Sequence, residues 1–262
     1  MSKTRRFNRI FRPDGKAFIV AFDHGMLDGP AAGMEQPGPV LEKIVAGGAD
    51  AILTTYGTAS RFAKEIAPLG LIMRMDGGGT KLGEMGPGSQ FYSIEDAIRL
   101  GADAVAVSAF PGAANEEESL AILASVIGEA HEWGIPVMGE MVPGGFDSPD
   151  HMRTAESIAI AARVGAELGS DWMKIPYAEG FEWVTSTCYV PTVILGGAKK
   201  GSERLMLEKI RDALNVGVKG VAIGRNIFQA EDPQAMCQAV AALIHEDVSI
   251  DRAMEILTGN AG

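Results

Sequence analysis

What this sequence lacks excludes several classes of protein. It has only two cysteines, Cys188 and Cys237, too far apart for a CxxC pair, so two reduced thiols are expected rather than a disulfide framework. Its four histidines are scattered and form no HxH or HExxH motif, which argues against a catalytic zinc ion, and no pattern requires another cofactor. Basic residues are also in deficit: 23 Lys and Arg face 34 Asp and Glu, a formal charge of −11 that leaves no basic stripe for nucleic acid.

Long apolar runs are missing as well. No run approaches the ~20 residues needed to cross a bilayer, and the basic N-terminal segment is not followed by an apolar run of signal-peptide length. We therefore expect a cytoplasmic protein that binds neither a membrane nor nucleic acid. The one basic cluster, Arg5, Arg6, Arg9 and Arg12, lies in a short N-terminal arm (1–15), which we interpret as a solvated or subunit-contacting segment.

Eight short apolar runs are spread along the chain, and each is followed by a polar or glycine-containing tip. Such near-continuous apolar runs are typical of parallel strands that are buried on both faces. The runs are Ala17–Phe22, Ala51–Thr55, Leu71–Met75, Ala104–Ser108, Pro136–Glu140, Trp172–Ile175, Thr192–Leu195 and Gly220–Ile223. Between them lie segments with apolar residues at helical intervals of three and four, most clearly in 117–133 and 154–168.

This alternation of strands and helices predicts a single (β/α)8 TIM barrel that spans residues 1–262. Eight strand–helix units in about 250 residues match the usual size of that barrel. The main competing fold, an open doubly wound sheet, usually has fewer strands and a glycine-rich nucleotide turn after the first strand. Here the first strand ends in Asp23-His24-Gly25, which is not such a turn.

The sixth strand contributes the most informative residue, because catalytic groups of such barrels lie at the C-terminal ends of the strands. Strand alternation places Lys174 on the same face as Trp172 and Pro176. If that face points to the barrel axis, burial disfavours the charged ammonium and leaves an amine that can attack a carbonyl. The alternative is a strand-end lysine whose ammonium reaches solvent.

The last two strands end in a second set of residues. Gly196-Gly197 follows the seventh strand and Gly224-Arg225 follows the eighth. Glycines let backbone N–H groups approach an anion closely, and an arginine can hold phosphate oxygens with two N–H groups. Phosphate sites in barrels often follow strands seven and eight, so these residues predict a phosphate cradle.

The first strand, which neighbours the eighth in a closed barrel, ends in a carboxylate. Asp23 is a candidate general base or a ligand for substrate hydroxyls. The adjacent His24 is either a substrate-binding residue or a structural histidine.

These residues carry a resemblance to the DeoC/LacD-type class I aldolases, and to three groups among them. The groups are the archaeal-type fructose-bisphosphate aldolases, the aminodideoxyheptulosonate synthases and the autoinducer-2 phosphate-processing enzymes. The similarity spans nearly the whole chain and is strongest in 171–177, 193–199 and 221–229. It implies that Lys174 is the Schiff-base lysine, that Asp23 is the family's strand-one aspartate, and that the glycines and arginine above hold a phosphate. It also implies a ring-like homo-oligomer, for which a decamer is one candidate.

One segment departs from the family pattern. The sugar-phosphate aldolases and heptulosonate synthases typically end strand five in Tyr-Pro-Arg-Gly, whereas residues 142–145 here read Val-Pro-Gly-Gly. The autoinducer-2 phosphate enzymes also lack that tyrosine, which serves as a general acid/base in the others. Glu140 shares a strand face with Val142, and a partly desolvated carboxyl there would have a raised pKa suited to proton transfer near neutral pH. The alternative is that Glu140 only pairs with an inward cation such as Arg74.

The sequence therefore predicts a class I aldolase, a lyase that makes or cleaves a C–C bond in a small phosphorylated ketose or related carbonyl compound. One alternative, acyl transfer from a phosphorylated dione to coenzyme A, stays within the family. A second alternative is a barrel that binds a sugar phosphate without catalysis. The presence of both Lys174 and Asp23 argues against this last reading.

Overall fold

In a computed structural model, which describes residues 3–83, 88–197 and 202–259, eight parallel strands close into a barrel. The strands are β1 (Ala17–Phe22), β2 (Ala51–Thr54), β3 (Gly70–Arg74), β4 (Ala104–Ala109), β5 (Val137–Met141), β6 (Trp172–Ile175), β7 (Thr192–Leu195) and β8 (Gly220–Ile223). Their order around the barrel is β1-β8-β7-β6-β5-β4-β3-β2, so the first and last strands are neighbours. The predicted (β/α)8 barrel is confirmed, and every predicted strand is present to within one residue at each end.

Most of the helices surround the barrel and form its outer layer. They are α1 (Thr4–Phe7), α2 (Gly25–Asp28), α3 (Pro37–Ala46), α4 (Tyr56–Arg61), α5 (Ala63–Ile66), α6 (Ile94–Arg99), α7 (Glu116–Glu132), α8 (Ala155–Glu167), α9 (Glu182–Thr187), α10 (Glu203–Asn215), α11 (Arg225–Phe228), α12 (Pro233–His245) and α13 (Ile250–Thr258). Local signals fix several helix starts: Ser93 and Asp96, for example, form a reciprocal capping box at the start of α6. Within the described ranges, no helix is both long enough and apolar enough to cross a membrane.

The barrel wall separates two apolar clusters, because successive side chains of a strand point to opposite faces. The inner cluster includes Ile72, Ala106, Met138 and Trp172, and the outer cluster joins the other strand face to the helices. On each of these four strands, the residue two positions closer to the C-terminal end also points inward, and it has a polar side chain. The apolar core therefore ends where the candidate site begins.

The N-terminal arm closes the opposite end of the barrel. Phe7 and Phe11 stack on each other, and their rings meet Trp172 edge-on at centroid distances of 5.4 and 5.7 Å. Lys3 Nζ lies 2.7 Å from Asp171 Oδ1 at the entry to β6. The two phenylalanines thus cover apolar surface at this end of the barrel, whereas most arginines of the basic cluster, which was predicted to be solvated or to contact a subunit, are exposed.

Arginines of the arm lie at this same end. Arg5, Arg6 and Arg9 line a groove of about 540 Å³ together with Trp133. Arg6 is fixed by a hydrogen bond of 2.6 Å to the carbonyl of Ala102, which precedes β4. The groove therefore lies at the amino-terminal ends of the strands, on the far side of the barrel from the candidate catalytic residues.

Candidate active site

Four neighbouring strands each place a polar side chain inside the barrel near its C-terminal end. Ser108 of β4 pairs in register with Glu140 of β5, and Glu140 pairs with Lys174 of β6. Arg74 is the last residue of β3. All four side chains are buried, and only 5% of Lys174 is exposed. Lys174 thus points into the barrel, as the alternation with Trp172 predicts, and its ammonium does not reach solvent.

Glu140 and Lys174 form a buried ion pair. Lys174 Nζ lies 2.7 Å from Glu140 Oε1, which is within reach for direct proton transfer. Burial alone would raise the pKa of Glu140, but Lys174 and Arg74 outweigh it and hold the pKa below its ordinary value. The expected rise in the pKa is therefore wrong: the desolvation is present, but two cations contact the carboxylate. Glu140 is ionised at neutral pH and positioned to accept a proton.

Arg74 is the centre of a charge network. Its guanidinium contacts Glu140 Oε2, Asp23 Oδ2 at 2.9 Å and Asp76 Oδ1 at 3.1 Å. Its Nη1 also donates a hydrogen bond of 2.9 Å to Ser108 Oγ. The pairing of Glu140 with Arg74, considered above as an alternative to catalysis, is thus present together with the contact to the lysine.

Asp23 is held firmly in its ionised form. Burial acts to raise its pKa, but Arg74, Lys174 and His24 outweigh burial and lower the pKa to about 2. Asp23 therefore stays charged across the neutral range. It is better suited to stabilise a positive charge or to accept hydrogen bonds from substrate hydroxyls than to take up a proton.

Asp76 has the opposite tendency. Burial raises its pKa, although Arg74 and a hydrogen bond from the Ser108 backbone act against this. That N–H donates to Asp76 Oδ2 at 3.1 Å. Neither Asp76 nor Ser108 was identified as a site residue from the sequence. The alternation from the inward Ala106 to Ser108 is the signal that could have identified the serine.

His24 lies between Asp23 and the end of β8. Its Nδ1 is buried, has no hydrogen-bond partner within the described residues, and is 3.6 Å from Asp23 Oδ1. The ring meets Phe228 edge-on at 5.4 Å. Burial lowers the pKa of His24 and outweighs the opposing effect of Asp23, with Lys174 and Arg225 also acting to lower it. The neutral ring is packed like a structural histidine but keeps one polar atom without a protein partner within the described residues.

The ends of β7 and β8 are packed too closely for side chains. A Cβ atom on Gly196 would lie 2.8 Å from the Ile223 side chain, and one on Gly224 would lie 2.4 Å from the carbonyl of Ala21. Asn226 Nδ2 donates a hydrogen bond of 3.3 Å to the Gly196 carbonyl and so ties the two strand ends together. Packing therefore requires glycine at two of the positions predicted as a phosphate cradle, Gly196 and Gly224.

Arg225 has an unused donor next to this glycine backbone. Its Nε is buried and has no hydrogen-bond partner within the described part of the chain. Gly197 adopts the left-handed conformation, with φ of +63°, which favours glycine. Lys199 and Lys200, which follow in the sequence, lie outside the described residues. The four residues predicted as the cradle thus lie at the ends of two adjacent strands, and one N–H group among them has no partner within the described residues.

Strand five ends without the phenol of the related aldolases. Val142 is buried, and its N–H donates a hydrogen bond of 3.0 Å to the Ala109 carbonyl. Gly144 and Gly145 follow with φ values of +70° and +91°. A valine cannot transfer protons, so the residue at this position takes no part in acid–base chemistry.

Comparison with known proteins assigns the family. The family model of the DeoC/LacD family aldolases matches residues 17–230. The chain belongs to the DeoC/LacD aldolase family. Its resemblance to that family, read from the strand-end motifs, is confirmed.

Relatives within the DeoC/LacD family differ in the reaction they are named for. The chain is 34% identical to the 3-hydroxy-5-phosphonooxypentane-2,4-dione thiolase of Escherichia coli, over 96% of this chain and 85% of that protein. It is also 34% identical to 2-amino-3,7-dideoxy-D-threo-hept-6-ulosonate synthase 1 of Archaeoglobus fulgidus, over 97% of this chain and 95% of that one. Membership therefore establishes an enzyme of the aldolase type but leaves its reaction open.

A solved structure of the family shows the same fold. An archaeal fructose-1,6-bisphosphate aldolase, determined with its catalytic lysine covalently bound to the carbinolamine intermediate of the substrate, is similar with a TM-score of 0.83. The two are 32% identical, and the match covers 93% of this chain and 99% of the archaeal one. Schiff-base chemistry thus occurs in this family on a barrel of this shape.

Proposed function

We propose that this protein is a class I aldolase that makes or cleaves a C–C bond in a small phosphorylated ketose or related carbonyl compound. The observation that carries the proposal is the contact between the buried Lys174 Nζ and Glu140 at the C-terminal end of β6. A lysine with its proton acceptor in direct contact is what the formation of a Schiff base requires. The covalent lysine of the archaeal relative supports this role.

The first chemical step is the formation of a protonated imine. Glu140 takes a proton from the Lys174 ammonium, and the freed amine attacks the substrate carbonyl carbon to form a carbinolamine. Glu140 then returns its proton to the carbinolamine hydroxyl, which leaves as water. The nitrogen of the resulting iminium ion is positive, and the ionised Asp23 in the same charge network stabilises it.

The C–C bond breaks in the second step. A base removes the proton of the hydroxyl on the β-carbon, a carbonyl forms there, and the electrons of the C–C bond pass to the iminium as an enamine. Glu140, again a carboxylate after water is lost, is our candidate for this base. Protonation of the enamine and hydrolysis of the imine release the second product, and the reverse sequence makes the bond.

The phosphate supplies positioning energy away from the reacting carbon. Backbone N–H groups near Gly196, Gly197 and Gly224 and the unused Nε of Arg225 are our candidate ligands for it. Charge-assisted hydrogen bonds to a remote phosphate fix the carbonyl against Lys174 without taking part in the chemistry.

A second candidate, acyl transfer from a phosphorylated dione to coenzyme A, has its own support. Val142 stands where the sugar-phosphate aldolases have a tyrosine, and the thiolase relative is 34% identical over nearly the whole chain. In that reaction the thiol of coenzyme A, and not water or an enamine, would receive the acyl group. The dependence of turnover on coenzyme A therefore separates the two candidates.

The test is product analysis with the purified protein. Phosphorylated ketoses, including fructose 1,6-bisphosphate, and 3-hydroxy-5-phosphonooxypentane-2,4-dione are each supplied with and without coenzyme A. Aldehyde and acyl-coenzyme A products are read by mass spectrometry. The aldolase proposal predicts cleavage without coenzyme A that disappears in Lys174→Met and persists in Lys43→Met, a change of an exposed helix residue. Acyl transfer that requires coenzyme A would favour the second candidate, and binding without any turnover would indicate the non-catalytic barrel.

A further inference from the structure

Arg74 contacts four residues of the candidate active site, but the mechanism proposed above gives it no role. Its side chain is buried, with 5% of the residue exposed. Nε and Nη2 face Asp23, Nη2 also faces Glu140, and Nη1 is shared by Asp76 and Ser108. An arginine that only balanced charge would not need hydrogen bonds from three nitrogens to four separate side chains.

The first consequence concerns the orientation of Glu140. Its two carboxylate oxygens have different partners: Oε1 contacts Lys174, and Oε2 contacts Arg74. Because Oε2 is held, the carboxylate cannot rotate away from the lysine. Arg74 thereby aims one oxygen of Glu140 at the nitrogen that must lose its proton.

The second consequence concerns the charges of the site during the reaction. When the Lys174 ammonium gives a proton to the Glu140 carboxylate, both side chains become uncharged. Arg74 keeps its charge throughout and favours the ionised form of Glu140, so it promotes return of the proton to the leaving hydroxyl. The same guanidinium holds Asp23, which places both carboxylates at fixed positions relative to one cation.

We propose that Arg74 is a positioning residue of the Schiff-base site, which orients Glu140 towards Lys174, keeps it ionised between proton transfers and fixes Asp23. The inference rests on the proposed function, because it gives Arg74 a role in the chemistry at Lys174. Arg74 touches Glu140, Asp23, Asp76 and Ser108 and acts on the substrate only through them.

The test is the pH dependence of imine trapping. Dihydroxyacetone phosphate and cyanoborohydride are mixed with the protein, and the rate of irreversible adduct formation at Lys174 is followed by mass spectrometry between about pH 3.5 and 9, a range that reaches below the ordinary pKa of a glutamate. Without Arg74, Lys174 is the only one of the two cations left to oppose the effect of burial on Glu140, so the pKa of the carboxyl rises and it takes up its proton at higher pH than in the unaltered protein. On the acidic side of the profile the trapping rate falls as Glu140 becomes protonated, and we call this part of the curve the acidic limb. In Arg74→Met we expect the acidic limb to lie ~1–3 pH units higher, the usual effect of a nearby opposite charge on the pKa of a carboxyl. Arg74→Lys keeps a cation and should shift the limb by a smaller amount.

Three further variants separate a positioning role of Arg74 from a structural one. In the Glu140→Gln background, Arg74→Met should cause no shift of the limb, because the carboxyl whose protonation sets the limb is absent. Arg99→Met removes a surface arginine, 70% exposed and paired with Asp96, and should leave the profile unchanged. Ser108→Ala removes one acceptor of Arg74 Nη1 and serves as a milder change if Arg74→Met does not fold; it should shift the limb in the same direction by a smaller amount.

The outcomes are distinct. A limb that does not move in the folded Arg74 variants and in Ser108→Ala, whether or not the rate falls, would overturn the positioning role. Absence of any Lys174 adduct in the unaltered protein would instead contradict the proposed function itself. A shifted limb in Arg74→Met that vanishes in the double variant would establish the inference.

Discussion

Replacing Glu140 by Gln tests whether the buried carboxylate is the proton carrier of the site. The change preserves the shape of the side chain but removes its charge. The amide oxygen can accept a hydrogen bond from only one of the cations, Lys174 or Arg74, while the amide NH₂ must face the other. The amide NH₂ then faces another hydrogen-bond donor inside the barrel, and the carboxylate that accepts a proton from Lys174 is no longer present.

The magnitude follows from these contacts. General acid–base catalysis typically contributes about 10²–10⁴-fold to a rate. Because Glu140 Oε1 is only 2.7 Å from Lys174 Nζ, we expect imine formation itself to slow by about 10²-fold or more, and not only the later C–C step. Removing one partner of a buried ion pair costs about 3–5 kcal/mol of stability. We expect less, because Asp23 and Asp76 still compensate Arg74.

The assay is single-turnover trapping of dihydroxyacetone phosphate with cyanoborohydride, with thermal unfolding of each variant measured in parallel. Glu208→Gln, a change of a helix residue that is 43% exposed, is the matched control and should trap at the normal rate. A folded Glu140→Gln variant that traps within twofold of the unaltered protein would refute the reasoning. Asp23 or a bound water would then have to carry the proton.

Three further predictions concern the phosphate, the fold and the assembly. Arg225→Ala should raise KM about ten- to a hundredfold with little change in kcat, since charge-assisted contacts contribute ~1.5–3 kcal/mol each; equal turnover of phosphorylated and dephosphorylated substrates would contradict it. Burial acts to lower the pKa of His245, but its hydrogen bonds to Asp50 and Asp14, at 2.9 and 2.7 Å, outweigh burial and raise it. The stabilisation of the folded protein by these hydrogen bonds is therefore complete below the pKa of a histidine in the unfolded chain, about 6.5, and is lost as the pH rises through the higher pKa of His245 in the folded protein. Denaturant titrations should show that the free energy of unfolding depends less on pH in the His245→Asn variant. Light scattering should give several times the 27.6 kDa of one chain, and a clean monomer at micromolar concentration would argue against a homo-oligomer.

The sequence predicts the barrel well because its strands are buried on both faces. Each apolar run then stands out without reference to any other part of the chain, as Ala104–Ser108 does. The inward direction of Lys174 is predictable for a similar reason, since Trp172 shares its strand face and belongs to the inner core. Both predictions depend only on alternation along one strand.

Other features depend on contacts between strands and could not be predicted in this way. Arg74 meets Asp23 only because β3 and β1 converge at the same end of a closed barrel. The pKa of Glu140 was expected in the wrong direction because burial was considered without the two cations that the closure brings to it. The packing of Phe7 and Phe11 beneath Trp172 likewise depends on an open barrel end that no local pattern reveals.

The central claim is that Lys174 is the covalent site, and borohydride reduction tests it most directly. The protein is reduced in the presence of dihydroxyacetone phosphate, digested, and its peptides are mapped by mass spectrometry. We expect the mass of the reduced adduct on the peptide that contains Lys174, and no adduct in the Lys174→Met variant. An adduct on Lys199 or Lys200, or full turnover by Lys174→Met, would contradict the account.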